Sequence, residues 1–142
     1  GWGETHLPGW SGRLWSDTVR GALSSGPDAG DNLPRFAPTR IGVDSRWRGA
    51  QWRFSAALTH VLRQNRTSNF DLRDGVPETA TEGYTTLDAS VAYDLSTAPL
   101  PLTLYLSGRN LTNQDVRIHT SFLKTMAPPP GRSIFFGLRA AL

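Results

Sequence analysis

Apolar and polar residues alternate along several long stretches of this chain, and a period of two residues is typical of a β-strand with two different faces. The alternation is clearest in the last eleven residues. There Ile134, Phe136, Leu138 and Leu142 fall on one face, and the other face is mixed and carries Arg139. One apolar face and one polar face suit the wall of a closed barrel with an apolar outside and a wet inside.

Five further stretches alternate in the same way. Together with the last one they predict an all-β fold, an antiparallel up-and-down meander of about six long strands that forms a segment of a transmembrane β-barrel. Most run for about 9–12 residues, close to the roughly 9–11 residues that a tilted strand needs to cross a bilayer. Strands of globular proteins average only about 5–6 residues. The five stretches lie at residues 14–23, 40–47, 52–63, 84–95 and 102–109.

The predicted connections differ in length in a regular way. Two are short, at residues 48–50 and 96–101, and three are long, at residues 24–37, 64–82 and 112–131. Consecutive connections of a meander lie at opposite ends of the sheet, so the three long ones would share one end. Outer-membrane barrels have this asymmetry, with long extracellular loops and short periplasmic turns.

Charged residues of the predicted strands avoid the apolar face. An arginine on the lipid-facing side at the bilayer midplane costs roughly 2–4 kcal/mol, so the pattern supports the assignment of that face to lipid and of the other to a wet lumen. Opposite charges on neighbouring strands could pair there. For any single residue, a wet interior that tolerates charge is the better interpretation. The predicted lumen-facing charges are Arg40, Asp44, Arg46, Arg53, Asp88, Asp94, Arg109 and Arg139.

Composition narrows the classes of function. Hydrophobic residues make up 38% of the chain, which is low for a compact core but normal where only alternate residues face lipid. No stretch approaches the roughly 20 apolar residues of a membrane-spanning helix. The formal charge is +3 and the arginines are dispersed, so we expect no nucleic-acid partner. The chain has no Cys, which excludes disulfides and thiolate metal ligands.

Catalytic and metal-binding patterns are weak. The histidines His6, His60 and His119 stand at no spacing typical of metal ligands, so we expect structural or interfacial roles, no bound metal and no cofactor. A hydrolase needs a nucleophile, a base and an orienting group that converge. Ser55 and Asp88 fall on the predicted polar face but His60 on the apolar one. The sequence therefore predicts a protein that is not an enzyme.

The last long connection holds candidates for contact with a ligand. Asp115, Arg117 and His119 are spaced by two residues, so they would share one side of an extended segment.

The start of the chain carries little pattern information. We expect residues 1–13 to form an irregular segment and residues 14–142 to form the barrel segment. The chain begins Gly-Trp-Gly without an initiator Met or a signal peptide, and we therefore expect a processed or partial chain.

Short motifs between the predicted strands point to a family. Asn110-Leu-Thr-Asn113, His119-Thr-Ser-Phe-Leu-Lys124 and Ala127-Pro-Pro-Pro-Gly-Arg132 lead into the last strand. Earlier, Asn32-Leu-Pro-Arg-Phe-Ala-Pro38 precedes one strand and Gly83-Tyr84 opens another. Over about residues 14–142, this set resembles the C-terminal part of the barrel of TonB-dependent outer-membrane receptors. The pairing of Asn-Leu-x-Asn with Pro-Gly-Arg is its most specific part.

The resemblance implies a fold, a cellular location and a set of partners. Such receptors are large barrels with an N-terminal plug domain and a TonB box, and they import ferric siderophores, vitamin B12, metal ions or sugars through the Gram-negative outer membrane. The implied partners are outer-membrane lipid, TonB, the plug domain, the barrel-assembly machinery and an unidentified small-molecule ligand. The implied C-terminal assembly strand contains Ile134, Phe136, Leu138 and Leu142.

This chain departs from the family pattern in two respects. It contains no plug or TonB box, and it ends in Leu142 where the family usually has Phe or Trp. The alternative interpretation is a small, non-transporting β-barrel or a soluble β-sandwich that binds a lipid-like ligand.

Overall fold

The computed structural model describes residues 2–26, 28–68, 78–95, 100–121 and 129–140, with side chains from residue 8 onward. Within these ranges the chain forms one antiparallel sheet of seven strands, paired in the order of the sequence. This arrangement confirms the predicted all-β meander, with one strand more than expected. The strands are β1 (Trp2–Leu7), β2 (Trp10–Asp17), β3 (Arg40–Arg48), β4 (Trp52–Val61), β5 (Tyr84–Leu95), β6 (Leu102–Arg109) and β7 (Ser133–Ala140).

The start of the chain differs from the expectation of an irregular segment at residues 1–13. Strand β1 pairs with β2 from Trp2 opposite Trp15 to Leu7 opposite Trp10, and β2 in turn pairs with β3. Backbone hydrogen bonds to a neighbouring strand hold this hairpin even where the side chains do not alternate clearly. The first strand expected near residues 14–23 accordingly begins earlier, at Trp10, and ends at Asp17.

The register places every strand pair in phase, so the two faces run unbroken across the sheet. On one face, Val43 lies opposite Leu58, which lies opposite Leu87. On the other, Asp44 lies opposite Ala57, which lies opposite Asp88. A slip of one residue in any pair would have exchanged the faces. We call these surfaces the apolar face and the polar face.

Aromatic side chains gather on the apolar face at one end of the sheet. The rings of Trp10, Trp47, Phe54, Trp52 and Tyr93 form a continuous row with neighbouring centroids 4.6–6.3 Å apart. This end is the one with the short turn between β3 and β4. Trp and Tyr favour the level of lipid headgroups, because one part of each ring system is apolar and the other can bond to water.

Two glycines on the polar face are covered by aromatic rings from the adjacent strand. The indole of Trp15 lies over Gly42, where an added Cβ would come within 2.3 Å of the ring. Tyr105 covers Gly137 in the same way, at 2.2 Å. Both pairs stand directly opposite each other in the register. The bare backbone therefore gives each ring a place to lie flat, which pins the register of two strand pairs.

A side chain at Gly42 should displace Trp15. We expect Gly42→Val to lower the free energy of unfolding by about 1–3 kcal/mol, the usual cost of overpacking, measured by urea titration of the folded barrel in vesicles. Ala57→Val enlarges a side chain on the same face where the backbone already carries a Cβ, and it serves as the matched control. Equal stability of both variants would contradict the role of the Trp15–Gly42 contact.

The connections alternate as predicted. Short links join β1 to β2 and β3 to β4, and β5 to β6 across residues 96–101; long ones join β2 to β3, β4 to β5 and β6 to β7. All long connections leave the same end of the sheet, opposite the aromatic row. Among the described residues there is no helix with the length and hydropathy to cross a membrane.

Candidate functional site

The polar face carries a ladder of cross-strand ion pairs. Arg13 Nε donates to Asp44 Oδ2 at 2.8 Å, and Arg53 Nη2 donates to Asp94 Oδ1 at 2.6 Å. Arg40 Nε donates to Asp17 Oδ1 at 3.1 Å. All three pairs are partly exposed, so each contributes at most about 1 kcal/mol. Each pair neutralises its own two charges and does little to stabilise the sheet.

The register places all eight charges predicted to face the lumen on the polar face. Arg53 and Asp94 pair with each other, whereas Arg40 and Asp44 pair with residues of β2 that were not among the candidates. Asp17 and Arg13 were missed because the alternation in β2 is mixed, so its faces could not be assigned. Arg109 lies over the ring of Phe135 at 5.9 Å.

No described part of the chain covers the apolar face. Leu58, in the middle of the sheet, is 44% exposed, and Phe136 of β7 is 75% exposed. Among the described side chains, Val61 is the one buried hydrophobic residue. An apolar surface that spans whole strands in this way marks contact with a membrane or another protein.

Buried polar groups lie in the long connections, where they surround the carboxylate of Glu78. Its Oε1 accepts a hydrogen bond from the backbone N–H of Arg35 at 2.8 Å, and its Oε2 accepts one from the N–H of Ser68 at 3.1 Å. The Nε2 of His119 lies 3.0 Å from Oε1. These contacts come from three different long connections, so one carboxylate joins all of them. We call Glu78, His119 and Thr81 the loop junction.

His119 is the most buried member of the loop junction, with 1% of its surface exposed. Its Nδ1 lies 2.9 Å from the hydroxyl of Thr81. With a proton on Nε2, the ring would turn an N–H towards the carboxylate of Glu78 and leave Nδ1 free to accept from the hydroxyl of Thr81. Gln64 continues the network: its side-chain amide donates to the carbonyl of Phe36 at 3.2 Å, and its backbone pairs with Thr81.

The candidate ligand-contact residues do not share one side, which corrects the expectation from their spacing. Asp115 and Arg117 are exposed and form an ion pair with each other, with 2.9 Å between Arg117 Nη2 and Asp115 Oδ2. His119 points inward to the loop junction. A turn at residues 119–120 breaks the extended conformation on which the prediction depended. Asp115 and Arg117 remain accessible to a ligand, and His119 does not.

The Asn-Leu-x-Asn and Pro-Gly-Arg motifs meet at the base of the last long connection. Asn110 and Asn113 both have positive φ, 47° and 54°, a conformation that Asn tolerates better than most residues. The Oδ1 of Asn113 accepts a hydrogen bond from the N–H of Arg132 at 3.1 Å. An added Cβ on Gly131 would approach that oxygen to 2.9 Å. The two motifs therefore form one closure across the connection.

Two further expectations concern the predicted assembly strand and a metal site. Leu142 of the predicted assembly strand lies outside the described residues, whereas Ile134, Phe136 and Leu138 lie on the apolar face of β7. Within the described ranges, no three His, Asp or Glu side chains are grouped so as to hold a metal ion.

Comparison with known proteins agrees with this geometry. A family model described as the TonB-dependent receptor-like β-barrel matches residues 3–111. The chain belongs to this family. The match includes most of residues 1–13, in agreement with strands β1 and β2 there. Proteins of this family are receptors and transporters rather than enzymes, and they reside in the outer membrane.

A solved structure supports the same fold for this receptor segment. The copper transporter OprC matches with a TM-score of 0.76 and 19% sequence identity, over 94% of this chain and 20% of that chain. The segment thus spans about a fifth of that transporter. A comparison with curated proteins finds no match.

Proposed function

We propose that this chain forms part of the wall and of the extracellular loops of an outer-membrane receptor that imports a small nutrient, such as a siderophore, a metal or a sugar, with energy from TonB. The observation that carries the proposal is the pair of unbroken faces. The apolar face can contact outer-membrane lipid. The polar face, with its cross-strand ion pairs, can line a water-filled lumen. The long connections, joined at one end, suit the extracellular side.

The sheet by itself cannot enclose a lumen. Among the described residues, strands β1 and β7 each have one hydrogen-bonded neighbour, and an open strand edge is not stable in a bilayer. In the proposed receptor, further strands close the barrel, a plug domain fills it, and TonB acts on the plug. The barrel-assembly machinery would engage β7, the last strand. Membership in the receptor family speaks against the small barrel or β-sandwich as the alternative.

A single-cysteine scan along β4 tests this proposal, because the chain has no Cys to interfere. We expect a water-soluble maleimide to label residues 55, 57 and 59 in the assembled receptor and a lipid-quenched fluorophore to report residues 54, 56 and 58. A cysteine at Asp115 should be labelled on intact cells. Uniform aqueous labelling along β4 would refute the membrane assignment.

A further inference from the structure

The connection between β2 and β3 forms a small structured lobe with a cavity at its base. Ala22 pairs with Asn32 in an isolated antiparallel bridge, and Leu33 N donates to the carbonyl of Gly21 at 3.2 Å. The cavity has a volume of about 360 Å³, within the usual range for small-molecule sites, roughly 300–1,000 Å³. All the residues that line it belong to the long connections that follow β2 and β4.

The lining of this cavity joins apolar and cationic groups. Val19, Leu33 and Phe36 supply an apolar lining, and two arginines, Arg20 and Arg66, line the cavity from two different connections. Among the described residues that line the cavity there is no Asp or Glu, and neither guanidinium has an ion-pair partner within the described parts of the chain.

Packing and hydrogen bonds within the protein fix the residues that line the cavity. Phe36 lies so close to Gly21 that an added Cβ would come within 2.4 Å of its ring. The carbonyl of Phe36 is held by Gln64, and the side-chain amide of Asn32 donates to the carbonyl of Thr67 at 3.3 Å. Arg35, next to Phe36, has a φ of 61° and is fixed by Glu78 of the loop junction. Strain of this kind persists only where the surroundings hold the backbone.

We propose that this cavity binds an anion that carries an apolar or aromatic group, such as an organic carboxylate or a phosphate ester. Arginine binds both kinds of anion through paired N–H donors, while Phe36 and Leu33 would bury the apolar part. The proposal rests on the proposed function, because that function places the cavity on the outer side, where a ligand arrives. The same chemistry is offered by a soluble ligand and by the headgroup of an anionic outer-leaflet lipid.

The probe is phenyl phosphate, titrated into the full-length receptor in neutral detergent and followed by ligand-observed NMR. Phenol is the uncharged control ligand. We expect saturable binding of phenyl phosphate, and at least about 10-fold weaker binding to Arg20→Gln/Arg66→Gln, because two charge-assisted contacts are lost. Arg63→Gln changes an arginine that pairs with Glu82 outside the cavity and should bind as the parent does. Val19→Trp, which fills the cavity from an exposed position, should also abolish binding.

Nanodiscs distinguish the two sources of the anion. If a lipid headgroup occupies the cavity, phosphatidic acid in the nanodisc should compete with phenyl phosphate, and phosphatidylcholine alone should not. If the occupant is soluble, neither lipid should compete.

Three results would overturn the proposal: no binding of phenyl phosphate, equal binding of phenol, or unchanged binding by the double variant. A receptor that passes the cysteine scan but fails this titration refutes the cavity alone. Failure of the scan refutes the proposed function, whatever phenyl phosphate does.

Discussion

Replacing Leu58 with arginine should lower the free energy of unfolding in a bilayer by about 2–4 kcal/mol, because the charge would face hydrocarbon near the middle of a strand. Leu58 lies at the centre of the apolar face, between Val43 and Leu87, with no carboxylate opposite it. Urea titration of the assembled receptor in phospholipid vesicles, read by tryptophan fluorescence, measures the loss.

The neighbouring residue gives a matched control on the opposite face of the sheet. Ala57 lies between Asp44 and Asp88 on the polar face, so Ala57→Arg places the same side chain beside two carboxylates in water. We expect this variant to unfold within about 1 kcal/mol of the parent, since exposed ion pairs contribute little. If both variants lost stability equally, the assignment of the two faces would be wrong.

Replacing Glu78 with alanine should have the second large effect, because it removes the acceptor of two backbone N–H groups and the partner of buried His119. Loss of a buried charged partner costs about 3 kcal/mol or more. Hydrogen–deuterium exchange at the amides of Arg35 and Ser68 should therefore become about 100-fold faster, since each 1.4 kcal/mol is roughly a factor of ten.

Glu82 supplies the control for this experiment. Its carboxylate is 77% exposed and lies 3.4 Å from Arg63, so Glu82→Ala should leave both amides protected. Faster exchange confined to the connection between β4 and β5 would contradict the idea that Glu78 joins all three connections.

Strands β3 to β7 were predictable because apolar residues gather on one face of each strand, which gives the sequence a period of two. In β4, Trp52, Phe54 and Leu58 make this period plain. The hairpin of β1 and β2 was missed, although Pro8-Gly9 is a turn signal. Gly12 and Ser16 occupy the apolar face of β2, and Trp15 lies on the polar face over Gly42, so the pattern there is blurred.

The loop junction could not be predicted from the sequence. Thr81 and His119 are 38 residues apart, and no local period links residues in separate connections. His119 was expected to be structural or interfacial or, less readily, to touch a ligand. Only the fold shows which carboxylate it meets. Glu78 itself stands in a polar stretch where any acidic residue would be ordinary.

The hydrogen bond between Asn113 and Arg132 makes the geometry of the strands independent of the length of the last connection. Because this hydrogen bond fixes the distance between the two ends, residues between them can be added or lost at a small cost in chain entropy. The strands on either side keep their register. Changes in the sequence of this connection can therefore accumulate without disturbing the pairing of β6 with β7.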